Sequence, residues 1–134
     1  MSQENVAIIL RALEHFQAEG DFLTAATAPD FVWDMTFFHG WPEQQLYEGL
    51  EETRRFIREW TEPFEDWRIE VESVHDAGDE QVLVILHQHA RSKSTGLPVD
   101  MTLGQVYTIV GGRQTRMEMY SDPAEALRAV GLEE

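Results

Sequence analysis

The chain has 134 residues, and this length predicts a single domain over residues 1–134. The 10 Lys and Arg residues against 25 Asp and Glu give a formal net charge of −15, which disfavours binding to nucleic acids and to anionic membranes. Cysteine is absent, which excludes disulfides and thiolate chemistry and is compatible with a cytoplasmic location. We expect no signal peptide and no membrane-spanning segment, because no basic and apolar leader and no long apolar run is present.

The first part of the chain has the pattern of two helices. Apolar residues at helical spacing predict a first helix that Ser2 caps and Gly20 ends. Asp21 is expected to cap a short second helix, which Pro29 stops.

The middle of the chain reads as a strand, a loop and a third helix. Phe31–Thr36 is predicted as a strand, and the following loop to Tyr47 is rich in aromatic residues. Gly49–Phe64 has an apolar stripe at helical spacing and predicts the third helix.

The rest of the chain is dominated by strands joined by turns. Strands are predicted at Trp67–Glu72, Val82–Ser92, Val99–Val110 and Gln114–Tyr120, with turns at Asp76–Asp79, Ser94–Pro98 and Gly111–Gly112. Asp122 and Pro123 open a short closing helix that Gly131 ends. Because helices and strands are segregated along the chain, the fold class is α+β with a largely antiparallel sheet.

Six segments together resemble the SnoaL-like branch of the nuclear-transport-factor-2-like superfamily. They are, in chain order, "EHFQAEGDF", "APDFVW", "YEGLEETRRFIREW", "DAGDEQVLV", "VYTIVGGR" and "MYSDPAEALRAVGL". The resemblance implies a cone-shaped, cystatin-like α+β barrel in which a curved, mostly antiparallel sheet and its helices enclose a pocket. It also implies a homodimer formed through the convex face of the sheet. The superfamily includes isomerases, epoxide hydrolases, polyketide cyclases, dehydratases and non-catalytic binders, so the fold alone does not give the function.

The chain departs from the acidic sites of these relatives. Aligned with ketosteroid isomerases, it has Leu13, Met35 and Gln105 where they carry a tyrosine and two acids. Met119 stands where limonene-epoxide-hydrolase-like members carry an aspartate. The resemblance therefore disfavours both of these activities.

A histidine pair on the strand Val82–Ser92 is the candidate catalytic group. Leu83, Ile85, His87 and His89 share one face of this strand, and the family alignment implies that this face points into the pocket. His87 and His89 would then lie about 7 Å apart. Either could serve as an acid–base near neutral pH, with Gln105 or Tyr107 across the ladder.

Two other interpretations of the histidine pair stay open. The histidines can be polar residues near a sheet end that bind neighbouring groups or water. They can also bind a metal, but a third ligand from Asp34, His39 or Glu118 is not evident from the spacing, and we predict no metal and no cofactor. Asp34 and Glu118 are expected to point away from the pocket by strand alternation.

The predicted ligand is a small, largely apolar molecule. The residues expected to bind it are Trp33, Met35, Phe38, His39, Trp41, Trp60, Tyr107, Met117 and Met119. The aromatic segment Phe37–Trp41 either forms a lid over the pocket or fills the open end of the cone. Three functions remain: an isomerase, cyclase, dehydratase or hydrolase with a histidine acid–base, a non-catalytic binder, or a dimeric interaction module with a filled cone.

Overall fold

A computed structural model of the chain describes residues 2–41, 44–78 and 80–132, without the side chain of Ser2. The helices are α1 (Ser2–Glu19), a 3₁₀ helix (Thr24–Ala26), α2 (Leu50–Thr61) and α3 (Pro123–Ala129). The strands are β1 (Thr27–Asp34), β2 (Leu46–Glu48), β3 (Phe64–Gly78), β4 (Gln81–Ser92), β5 (Pro98–Val110) and β6 (Arg113–Tyr120). Within the described residues, none of the helices is both long and apolar enough to cross a lipid bilayer.

The six strands form one curved, unclosed sheet in the order β2-β1-β6-β5-β4-β3. Its neighbouring strands are antiparallel except for β1 and β6, which are parallel. The β3–β4 ladder shifts register at three places, and such bulges increase twist and bend a sheet. The predicted α+β fold with a mostly antiparallel, curved sheet is therefore confirmed.

Helices pack on both faces of the sheet. The inner face, defined here as the face that α1 and α2 cover, contributes Val82, Val84 and Leu86 to the main core. The outer face carries α3, whose Ala126 packs in a second core with Leu83 and Ile85. Strand β4 is therefore buried on both sides, which explains its nearly continuous apolar sequence.

Several predicted boundaries are corrected. The second helix is only the 3₁₀ turn Thr24–Ala26, and Pro29 lies inside β1, where the pairing with β6 is interrupted between Thr27 and Val32. The third helix ends at Thr61, just before Pro63, and Phe64 begins β3.

The predicted loop and turn are also corrected, whereas the predicted start of the last helix is confirmed. The short strand β2 lies inside the predicted loop, and β3 continues to Gly78, through most of the predicted turn. Asp79 and the capping side chain of Ser2 lie outside the described residues. The start of α3 is confirmed, because Asp122 accepts a hydrogen bond from the Ala124 amide at 2.9 Å and Pro123 is the first helical residue.

Candidate functional site

A cavity of about 60 Å³ lies between α1, α2 and the inner face of the sheet. Its walls are mainly apolar and aromatic, and include Leu13, Trp33, Met35, Trp60, Leu86 and Met119. Pockets for drug-sized ligands usually measure about 300–1,000 Å³. This conformation therefore holds only a few heavy atoms, and a larger ligand requires wall side chains to move.

Most of the polar groups in the cavity wall are bonded to one another. The indole nitrogen of Trp60 donates to Oε1 of Gln88 at 2.7 Å, and the hydroxyl of Tyr107 donates to Oε1 of Gln105 at 2.5 Å. Gln114 donates through Nε2 to the hydroxyl of Thr27 at 2.9 Å. These bonds fix the orientation of the side chains around the cavity.

Two buried nitrogen atoms in the wall have no hydrogen-bond partner among the described residues: Nε1 of Trp67 and Nε2 of Gln88. Nε2 of Gln105 has only the sulfur of Met119 at 3.9 Å, and a thioether is a weak acceptor. All three atoms are donors. The side chains that line the cavity therefore carry three donor atoms without a good acceptor.

None of the described side chains that line the cavity exchanges protons near neutral pH. Its lining, within the described part of the chain, contains no His, Asp, Glu, Lys or Arg. Burial raises the pKa of the Tyr107 hydroxyl well above its ordinary value, so this group stays protonated. The described lining can bind and orient a molecule, but it does not contain an acid–base pair.

Many of the predicted site residues do meet at the cavity. Leu13, Met35, Gln105 and Met119, which the resemblance aligns with polar and acidic residues of the superfamily, all line it. The predicted ligand residues Trp33, Trp60 and Tyr107 also line it.

Phe38, Trp41 and Met117 lie behind the cavity wall instead of in it. Phe38 and Trp41 pack on Trp60 with ring centroids at 5.6 and 5.4 Å, and Met117 is fully buried in the core. Phe38 and Trp41 therefore act here as packing around Trp60, whereas Phe37 stacks on Tyr120 of the outer face with ring centroids at 4.7 Å.

His39 is outside the cavity, contrary to its predicted place among the ligand residues. Its side chain is 67% exposed, and its Nε2 atom lies 2.8 Å from the carboxylate of Glu125 on α3. The carboxylate draws the ring away from the inner face.

The prediction that His87 and His89 point into the cavity is wrong. Strand β4 is apolar on both faces, so alternation alone does not tell which face is inner. Because α3 covers Leu83 and Ile85, the histidines that share their face lie on the outer side. Sequence analysis consequently missed Gln88, which lies on the inner face with Leu86.

The two histidines are hydrogen-bonded to outer-face neighbours. His87 contacts Glu72 at 2.6 Å and the Thr102 hydroxyl at 2.8 Å. His89 lies between Glu70 and Asp100, at 3.0 and 3.1 Å, and these two contacts raise its pKa. No group of three or more His, Cys, Asp or Glu side chains within the described ranges is arranged to hold a metal ion.

Asp34 and Glu118 point away from the cavity, as expected. Asp34 is buried and pairs with Arg116, and it also accepts a hydrogen bond from the amide of Thr36 at 2.8 Å. Burial raises the pKa of Glu118, and the guanidinium of Arg116 at 3.6 Å offsets part of that effect. These carboxylates have structural partners on the outer face.

The homodimer was predicted to form through the outer face of the sheet, and part of that face is already covered. Its apolar residues Leu83 and Ile85 are covered by α3 of the same chain. The apolar sequence of β4 therefore needs no partner subunit to account for it, and a dimer through this face stays a prediction.

Comparison with known proteins gives matches to one family and to related solved structures. The family model described as SnoaL-like domain matches residues 9–117. An NTF2-like protein of unknown function from Burkholderia pseudomallei has a TM-score of 0.73 and 21% identity, covering 95% of this chain and 97% of that one. No curated protein matches the sequence.

Two further solved structures are similar and carry small molecules. TerC, co-crystallised with polyporic acid, has a TM-score of 0.73 and 17% identity, covering 96% of this chain and 98% of that one. A hypothetical protein from Catenulispora acidiphila with a ketosteroid isomerase-like fold, in complex with trimethylamine, has a TM-score of 0.69 and 14% identity, covering 93% and 92%. At these identities the likeness extends to the fold alone.

Proposed function

The chain belongs to the SnoaL-like domain family, and on that premise we propose that it binds a small, largely apolar molecule in the cavity between α1, α2 and the inner face of the sheet. One observation carries the proposal: the described cavity wall is apolar apart from amides, indole nitrogens and one tyrosine hydroxyl. Apolar walls with a few placed polar groups are typical of small-molecule sites.

The same wall favours binding over histidine-based catalysis. A general acid or base must reach the reacting group, and His87 and His89 lie on the other side of the sheet from the cavity. The alternative of a filled cone is less well supported, because space remains beside Trp33, Leu86 and Met119.

Other proteins of this fold add support. TerC was co-crystallised with polyporic acid, and the Catenulispora acidiphila protein is in complex with trimethylamine. These two structures show that proteins of this shape are found with small molecules, and our proposal extends that behaviour to this chain.

The proposal is tested by titrating the protein with toluene and following isoleucine methyl signals by NMR. The side chains of Ile57 and Ile69 line the cavity, whereas Ile85 lies on the outer face under α3. We expect saturable shifts of the Ile57 and Ile69 methyl signals and little change at Ile85. The absence of saturable shifts at Ile57 and Ile69 would contradict the proposal.

A blocking variant and a matched control sharpen this experiment. Leu13→Trp adds a large side chain to the cavity wall, whereas Leu10→Trp places the same ring on the same helix at a position that is 42% exposed. We expect Leu13→Trp to weaken toluene binding at least tenfold and Leu10→Trp to leave it unchanged, with circular dichroism showing that both variants fold. Equal binding by the two variants would place toluene elsewhere.

A further inference from the structure

We infer that the cavity selects apolar molecules that carry a carbonyl-type oxygen over molecules of the same shape without one. This inference rests on the proposed function and names the ligand class of the same site. Its basis is the pair of buried donors in the wall, Nε2 of Gln88 and Nε1 of Trp67, which have no partner among the described residues.

The orientation of the Gln88 amide follows from its neighbour. An indole N–H can only donate, so the Gln88 atom that lies 2.7 Å from the indole nitrogen of Trp60 must be the amide oxygen. The amide nitrogen then points elsewhere, and Gln88 is only 2% exposed. Trp60 thus fixes Gln88 with its donor end unpaired in a buried place, where an unmade hydrogen bond is unfavourable.

Trp67 provides a second donor from the neighbouring strand. Its ring packs edge-on against Phe16 with centroids 6.0 Å apart, and its indole nitrogen is buried. Trp67 lies on β3 and Gln88 on β4, and Ile69 of β3 pairs directly with Gln88. Adjacent strands therefore bring both side chains to the wall of one cavity, where a ligand oxygen reaches the two buried nitrogen atoms when neighbouring side chains move.

Two amide oxygens in the wall already accept hydrogen bonds. Oε1 of Gln88 accepts from Trp60, and Oε1 of Gln105 accepts from Tyr107. A carbonyl oxygen can satisfy the free donors, whereas a protonated amine finds no carboxylate in the described wall. The site is therefore complementary to an apolar ring with a ketone oxygen.

The inference is tested with cyclohexanone and methylenecyclohexane, which have nearly the same shape but differ in the acceptor oxygen. In a cavity without free donors, the ketone loses its hydrogen bonds to water and binds less well than the alkene. We therefore expect Gln88→Met and Trp67→Phe each to shift the ratio of the two dissociation constants at least tenfold toward the alkene.

Gln81→Met is the matched control for Gln88→Met. Gln81 lies on the same strand, β4, but does not line the cavity. We expect this variant to keep the wild-type ratio. In the wild type, the indole N–H signal of Trp67 should move downfield with the ketone and not with the alkene.

The outcomes separate the two proposals. If neither compound binds the wild type, the proposed function and the inference both fail. If both compounds bind and the ratio is unchanged in Gln88→Met and Trp67→Phe, the binding function stands and the inference is overturned. An unchanged ratio is also the result expected if only water accepts hydrogen bonds from Gln88 and Trp67.

Discussion

The position of α3 on the outer face determines which side of β4 faces the cavity. A substitution at Gly104 tests directly whether α3 packs there. Gly104 lies on β5 between Ile85 of β4 and Tyr120 of β6, directly under α3. A methyl group built at Gly104 would lie 2.7 Å from Cβ of Ala126. Carbon atoms in contact normally lie about 3.5–4.0 Å apart, so Gly104→Ala must displace α3.

The expected cost of Gly104→Ala follows from two opposing effects. Overpacking of a tight interface costs about 1–3 kcal/mol. Replacing glycine reduces the freedom of the unfolded chain, which returns about 0.4–1 kcal/mol. The net loss in the free energy of unfolding should therefore be about 1–2 kcal/mol.

Urea unfolding of four proteins measures this effect: the wild type, Gly104→Ala, Ala126→Gly and the double variant. Ala126→Gly alone should cost about 1 kcal/mol, because glycine disfavours the helix. The double variant moves the methyl group from one side of the interface to the other. Its loss in the free energy of unfolding should therefore be smaller than the sum of the two single losses by about 1 kcal/mol or more. A fully stable Gly104→Ala variant, or strictly additive effects, would refute the described packing of α3.

Two further predictions concern the end of α3 and the outer face. Asp122→Ala removes the side-chain cap of α3 and should lower the free energy of unfolding by about 1 kcal/mol in urea, and an unchanged midpoint would contradict the cap. The carboxylates of Glu70 and Asp100 accept hydrogen bonds from His89 and raise its pKa. The stabilising effect of His89 is therefore complete below the unfolded pKa of about 6.5 and is lost as pH rises through the folded pKa. The stability difference between the wild type and His89→Gln should therefore be larger at pH 5 than at pH 9, and a difference independent of pH would contradict these contacts.

Much of the fold can be predicted from the sequence where the signals are local. Asp122 followed by Pro123 is a helix start that depends only on neighbouring residues, and the structure has the helix there. Gly111 and Gly112 both have positive φ angles, which glycine adopts without a steric cost, and they turn β5 into β6. By contrast, the three-residue strand β2 exists because Leu46–Glu48 pairs with β1, and no local pattern indicates it.

The inner and outer sides of the sheet could not be assigned from the pattern of β4 alone. Val82, Val84 and Leu86 are as apolar as Leu83 and Ile85, so only the packing of α3 distinguishes the faces. The free donors are equally hidden from the sequence. The orientation of the Gln88 amide, for example, is set by the indole of Trp60 on α2, a contact between residues 28 positions apart.

The most direct test of the central claim is a crystal structure of the protein soaked with cyclohexanone. We predict density for the ring between Trp33, Leu86 and Met119, with the ketone oxygen within hydrogen-bond distance of both Nε2 of Gln88 and Nε1 of Trp67. An empty cavity, with the ketone bound instead on the outer face beside His87 and His89, would contradict the account.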